Sequence, residues 1–219
     1  MEHIWSYYRF HLLALVLCVL FAVFLLRAAL GPRVETVFSA ILVDTGAEDA
    51  ATERLTGDLG NALEIDPARQ RVTVDAVSVL GDDPVRTLET LVLRIIAGEA
   101  DVVVCHGEIA NYLLKSGALS DLSEVLPPET LDRWADRALY VDAVALAEWT
   151  EASNAGDIRD VNLVFDSPEG MARPVAVALD VTEDCTALSL PEQGEPLCCV
   201  VAVTTTHTES VARFLDYLG

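Results

Sequence analysis

Two kinds of apolar pattern divide this chain. The first is a single unbroken run, Leu12 to Leu26, reading LLALVLCVLFAVFLL without one charge. With His11 and the Arg27-Ala28-Ala29-Leu30 tail it reaches the ~20 residues that cross a bilayer. The second begins at Val37 and is periodic. Val37 to Val43 is apolar and β-branched enough for a buried strand, and Asp44-Thr45-Gly46 ends it. From Ala47 to Leu63, Ala51, Leu55, Leu59 and Leu63 recur every fourth position with Glu48, Asp49, Glu53 and Asp58 opposed, which predicts an amphipathic helix. Arg71 to Leu80 alternates as a strand, and the Gly81-Asp82-Asp83-Pro84 turn opens a helix with the stripe Val85, Leu88, Leu91, Val92, Ile95 and Ile96. Gly98 stops that helix ahead of the strand Asp101 to Cys105, and a further helix is expected over Glu108 to Leu114. This β-α-β-α-β-α order predicts an α/β fold with a mostly parallel sheet flanked by helices on both faces.

The later pattern is less regular. Helices are expected over Leu131 to Ala138 and Ala143 to Trp149, strands over Val161 to Asp166, Pro174 to Asp180 and Pro196 to Thr204, and a closing helix over Thr208 to Leu218. The predicted organisation is therefore a short cytoplasmic segment at 1–10, a transmembrane signal anchor at 11–30, a linker at 31–36 and an extracytoplasmic α/β domain at 37–219.

The flanks of the apolar run favour an uncleaved anchor over a signal peptide. A cleaved leader wants a basic n-region and a small-x-small site, whereas Leu30-Gly31-Pro32-Arg33 follows here. Leu15-Val16-Leu17-Cys18 has a bulky residue where a lipidated cysteine needs a small one. Trp5, Tyr7, Tyr8 and Phe10 supply an aromatic belt at one interface, and Arg27 and Arg33 can snorkel to the other. Counted by basic residues, Arg27 and Arg33 outnumber Arg9 and oppose an exported C-terminus; the short N-terminus and the acidic domain argue for one. Cell-membrane, single-pass placement with the domain outside is the expectation.

Charge narrows the partners. Fourteen basic residues against 35 acidic ones give a net charge of −21, which excludes a nucleic-acid partner. Five cysteines, Cys18, Cys105, Cys185, Cys198 and Cys199, show no CxxC pair and no zinc-ligand spacing, so no metal is expected. Cys198 and Cys199 are adjacent in a predicted strand and point to opposite faces. Buried thiols are the expectation for the domain cysteines, and a disulfide from Cys185 to Cys198 or Cys199 is the alternative outside the cell.

No catalytic constellation emerges. Cys105-His106 puts a thiol beside an imidazole, but neighbours in a strand diverge and no third group orients them. Asp82-Asp83 reads as a turn and helix start, short of the ~6–8 oxygens a calcium ion needs. Gly57 and Gly60 lack the strand before and the Lys-Ser/Thr after that a phosphate loop requires. His207 lies at the start of the last helix, where Thr206 or Thr208 is expected to cap and Glu209 suits the dipole. The reading is of a non-enzyme without cofactor.

Two segments carry a resemblance. Glu89 to Pro127, ETLVLRIIAGEADVVVCHGEIANYLLKSGALSDLSEVLP, and Cys198 to Leu218, CCVVAVTTTHTESVARFLDYL, resemble in order and framing the corresponding parts of bacterial extracellular solute-binding proteins, the type that feed ABC importers. In that family a second lobe lies between the two segments. Here 70 residues, 128–197, separate them, so the resemblance implies one lobe held at the membrane. It implies ligand contacts from loops at the carboxyl ends of strands, the place open α/β sheets also favour: Asp44 and Thr45, Gly81 and Asp82, and Cys105, His106 and Glu108. The implied partner is a transporter permease, with a small-molecule solute in question; a cell-envelope scaffold that binds no small molecule is the competing reading.

Overall fold

The computed structural model describes residues 13–24, 34–81, 83–157, 160–191 and 194–219. It divides into two units, Met1–Glu35 and Thr36–Gly219.

In the first unit a helix, α1, covers residues 13–24 with its side chains exposed. Twelve residues rise about 18 Å, short of a ~30 Å hydrocarbon core. Among the described residues no helix is long and apolar enough to cross a membrane. The remainder of the expected 11–30 anchor, the segment at 1–10, the aromatic belt, and Arg27 and Arg33 lie outside the described residues.

The second unit is built on one six-stranded sheet. Its elements are β1 (Glu35–Val43), α2 (Asp49–Ala62), β2 (Gln70–Val77), α3 (Pro84–Ile96), β3 (Val102–His106), α4 (Gly107–Lys115), α5 (Leu122–Val125), α6 (Pro128–Arg133), β4 (Ala138–Asp142), α7 (Ala143–Asn154), β5 (Pro174–Asp180), β6 (Leu197–Val201) and α8 (Thr208–Leu218). The strand order is β2-β1-β3-β6-β5-β4. β1 and β3 run parallel, with Leu42 beside Val104. β2 joins them in the same direction: Arg71 at its start reaches Thr36, and Val77 at its end accepts from the Asp44 amide.

Beyond β3 every pairing is antiparallel, so the sheet is mixed and the expectation of a mostly parallel one is corrected. The connections give the reason. Among the described residues of 181–196, between β5 and β6, there is only a short 3-10 turn, Thr182–Asp184, and no crossover helix to carry the chain back to a parallel start. β4 and β5 form a hairpin with an excursion, because α7 leads away and residues 155–173 lead back. Asp142 pins its mouth, accepting from the amides of Ala172 and Arg173, and these amides hold its carboxyl below the usual range. The strand expected over Val161 to Asp166 is irregular, touching β4 only through a Tyr140–Phe165 bridge. The helix expected over Leu131 to Ala138 breaks at Trp134; its end becomes a 3-10 turn and then β4, a strand the pattern did not predict.

Alternation along the strands builds two cores. Phe38, Val104, Cys199 and Phe214 belong to the layer covered by α2, α5 and α8; Ile41, Val103, Val200, Leu91 and Ile95 belong to the layer under α3 and α4. Each fully buried Leu, Ile or Phe contributes roughly 1.5–3 kcal/mol of transfer free energy. The Phe38 and Phe214 rings lie 5.1 Å apart, fastening α8 across β1.

Candidate functional site

β1 is followed by α2 on one face of the sheet and β3 by α4 on the other, so the chain departs in opposite directions from β1 and β3. In open α/β sheets the crevice at such a reversal, outside the carboxyl ends of the strands, is where ligands bind. Asp44 directly follows β1 and His106 ends β3, so both lie at the carboxyl ends of this parallel pair.

Asp44 is the keystone of the β1 end. Its φ is +52°, a left-handed conformation that Asp tolerates better than most residues. There its Oδ1 accepts from the Val79 amide at 2.8 Å and the Ser78 hydroxyl at 2.9 Å, tying the ends of β1 and β2 together. Oδ2 has no partner among the described residues. Thr45 is buried beneath it. Gly46, with φ +68°, passes close to Pro191, where a Cβ would come within 3.2 Å of the proline ring. A side chain there would strain both the backbone and the contact.

His106 ends β3, half-buried, with its Nδ1 3.3 Å from the Pro196 carbonyl and Nε2 without a partner among the described residues. It is the N-cap residue of α4 but makes no side-chain cap bond. Glu108, exposed in the first turn of α4, complements the positive end of that helix.

The remaining candidates separate from this group. Gly81 is exposed in the loop after β2, with open space around it, and Asp82 lies outside the described residues. Asp83 is the N-cap of α3, accepting from the Arg86 amide at 3.2 Å. Cys105 is fully buried and packs under α3 and α4, so it is corrected from a crevice residue to a core residue. Its cross-strand neighbour is Cys198, whose thiol donates to the Cys105 carbonyl at 3.2 Å. The hydrogen bond with Cys198 and complete burial push the Cys105 thiol well up; burial first, then the neighbouring thiol, does the same to Cys199. Cys198 and Cys199 point into opposite layers, as alternation requires, and all the cysteines are free thiols. Of the strand-end candidates, Asp44, His106 and Glu108 keep solvent-accessible polar side chains, two carboxylates and an imidazole, whereas Thr45 is buried. That set suits contact with a hydrogen-bonding partner. Among the described residues no group of three or more metal-ligating side chains occurs.

One arrangement was missed by sequence reasoning. Asp101, 4% exposed at the entry to β3, accepts from the Ser39 amide at 2.9 Å and the Thr205 hydroxyl at 2.6 Å, and holds His207 Nδ1 at 3.0 Å. His207 is the N-cap residue of α8, yet no side chain caps that helix, so the expected capping by Thr206 or Thr208 is corrected. The available signal was an acidic residue opening an otherwise apolar strand.

No family model matches the chain, and no curated protein matches it. Among solved structures it is similar to an ABC transporter solute-binding protein from Thermotoga lettingae TMO bound with α-D-tagatose, at 12% identity over 84% of this chain and 76% of that one, with a TM-score of 0.40. It is also similar to the periplasmic binding protein AgtB from A. tumefacien R10 in complex with agropinic acid, at 11% identity over 82% and 77%, TM-score 0.34. A maltose-binding periplasmic protein from Listeria monocytogenes in complex with maltose aligns at 16% identity over 52% of this chain and 31% of that one, TM-score 0.27.

Proposed function

We propose that the domain is an extracytoplasmic module of the solute-binding-protein type, held at the cell membrane by its N-terminal apolar helix and accessory to an ABC-type importer. The observation that supports this reading is the strand reversal between β1 and β3, whose carboxyl ends carry the accessible polar side chains of Asp44, His106 and Glu108. The resemblance of Glu89 to Pro127 and Cys198 to Leu218 to that family agrees with it. The rim of one lobe offers contacts on a single side of a ligand, so a solute or a permease loop would complete the site from the other side.

A thermal-shift screen of the detergent-solubilised chain with sugars and short peptides, paired with co-purification from membranes, tests the reading. Stabilisation by one solute class, or recovery of permease subunits, lost together in Asp44→Ala and His106→Ala, is the expected outcome. Absence of both sinks it. Membrane retention after alkaline carbonate washing, with the domain cleaved by protease added outside the cell, checks the anchor and its orientation.

A second reading, a cell-envelope scaffold, has one observation in its favour. Val85, Leu93 and Ile96 share the outer face of α3 at 65%, 66% and 53% exposure, next to Leu80 at 85%. α3 follows β2, an edge strand, and exposed apolar faces of this kind mark protein contacts. A stable unrelated partner, lost on Leu93→Glu, in a protein that no solute stabilises would favour it.

A further inference from the structure

The end of the sheet opposite the strand reversal holds an open cleft of about 420 Å³. Val37, Leu63 and Ile65 form its aliphatic wall, and Gln70, His207 and Ser210 are among its polar groups. Asp101 orients the imidazole. With its carboxylate at 3.0 and 3.1 Å from Nδ1, it selects the tautomer that carries hydrogen on Nδ1, which leaves Nε2 as an acceptor on a ring only partly exposed. Ser39 and Thr205 fix the Asp101 carboxylate in place and His207 is its third partner, so the histidine cannot swing away without leaving a buried charge short of a partner.

Among the described residues, Arg213 is the one arginine or lysine lining the cleft, against the carboxylates of Glu209, Glu64 and Asp101. Arg213 is paired with Glu209 at 2.8 Å and lies 4.0 Å from Glu64, so it does not stand as a free cation for an anionic ligand. What remains is a set of single donors and acceptors. Among the described residues the hydroxyls of Thr206, Thr208 and Ser210 make no hydrogen bond to the protein, and Gln70 uses its carbonyl oxygen on the Asp66 amide, which turns its NH₂ group to other use.

We propose that this cleft is a binding site for an uncharged small molecule bearing several hydroxyl groups, with His207 Nε2 accepting from one hydroxyl and Ser210 and Gln70 contacting others. Asp101 is a positioning residue: it fixes the tautomer and touches no ligand. The site is independent of the proposed function at the other end of the sheet and stands or falls separately.

The test uses the full chain in detergent with ¹⁵N-labelled histidine. The His207 ring nitrogens report the tautomer directly, and D-sorbitol and inorganic phosphate serve as probes. The expected result is an Nδ1-protonated ring whose Nε2 resonance moves on titration with sorbitol and not with phosphate. Ser210→Ala and Gln70→Ala should each weaken that response about fivefold, what one lost neutral hydrogen bond gives. Asp101→Asn should abolish the Nδ1-protonated signature. Because a hub variant can unfold, the two surface variants carry the test on their own. Three results would overturn the proposal: no sorbitol response, a response untouched in Ser210→Ala and Gln70→Ala, or a response to phosphate in its place.

Discussion

Asp44 and Asp101 sit at opposite ends of the same central strands and fasten them by different means. Asp44 is half-buried and ties two strand ends together through a neighbouring amide and hydroxyl. Asp101 is almost fully buried and gathers an amide, a hydroxyl and an imidazole from two segments distant from it in sequence, Ser39 on one side and Thr205 with His207 on the other. The first can be lost with water as substitute. The second has no such substitute, and that difference in solvent access decides how much each end tolerates.

Asp101→Ala should therefore be the most damaging single change at either end. It leaves the Ser39 amide and the Thr205 hydroxyl without their acceptor and costs about 3 kcal/mol, read as a lower midpoint in urea unfolding. Equal costs at the two ends would remove the contrast. Asp44→Ala loses two hydrogen bonds and places a residue without a compensating side chain at positive φ, for about 2 kcal/mol; Asp44→Gly should recover part of it by relieving the backbone.

Between the two ends lie the buried thiols of Cys105 and Cys199. Their folded-state pKa values are raised, so the stabilisation they carry is fully present below the unfolded thiol value of ~8.5 and is lost as pH climbs above it. Unfolding midpoints should be flat from pH 7 to 8 and decline beyond, by roughly 1.4 kcal/mol per thiol at one pH unit above that value. Cys199→Ala should flatten the decline. A native-state thiol reagent should likewise leave Cys105, Cys198 and Cys199 unmodified until denaturant is added. The smallest effect is expected at His106: its one bond is to a carbonyl at 3.3 Å, and His106→Ala should shift stability by no more than ~0.5 kcal/mol. A larger loss would mean that this rim is structural.

The parallel half of the sheet was legible because each apolar strand was followed by an amphipathic helix. Leu55 and Leu59 in α2, and Leu91 and Ile95 in α3, are buried as their spacing requires, whereas Val85 and Ile96, also placed on the α3 stripe, are exposed. α8 covers Thr208–Leu218, the span its stripe predicts. The antiparallel half was not legible. Val102 to Cys105 and Leu197 to Val201 are buried on both faces, and a continuous apolar run says nothing about direction. β4 was hidden because Ala138 to Asp142 is short and follows a helical stretch without a break residue. Of the candidates chosen by the strand-end rule, Asp44 and Thr45 do follow β1 and His106 does end β3. The rule misassigned Cys105, since one residue before the strand end the side chain turns into the core. Asp101 and His207 are 106 residues apart, and only the pairing of β3 with β6 brings them together.

The position of β6 also bears on how the protein is made. This strand lies in the middle of the sheet, between β3 and β5, although it follows both of them in the sequence. Until residues 197–201 emerge, β3 and β5 each present an unsatisfied edge, and the layer beneath α8 lacks Phe214 and Leu215. A chain that has not yet added β6 leaves its two central neighbours open, so this strand is the piece that closes the sheet.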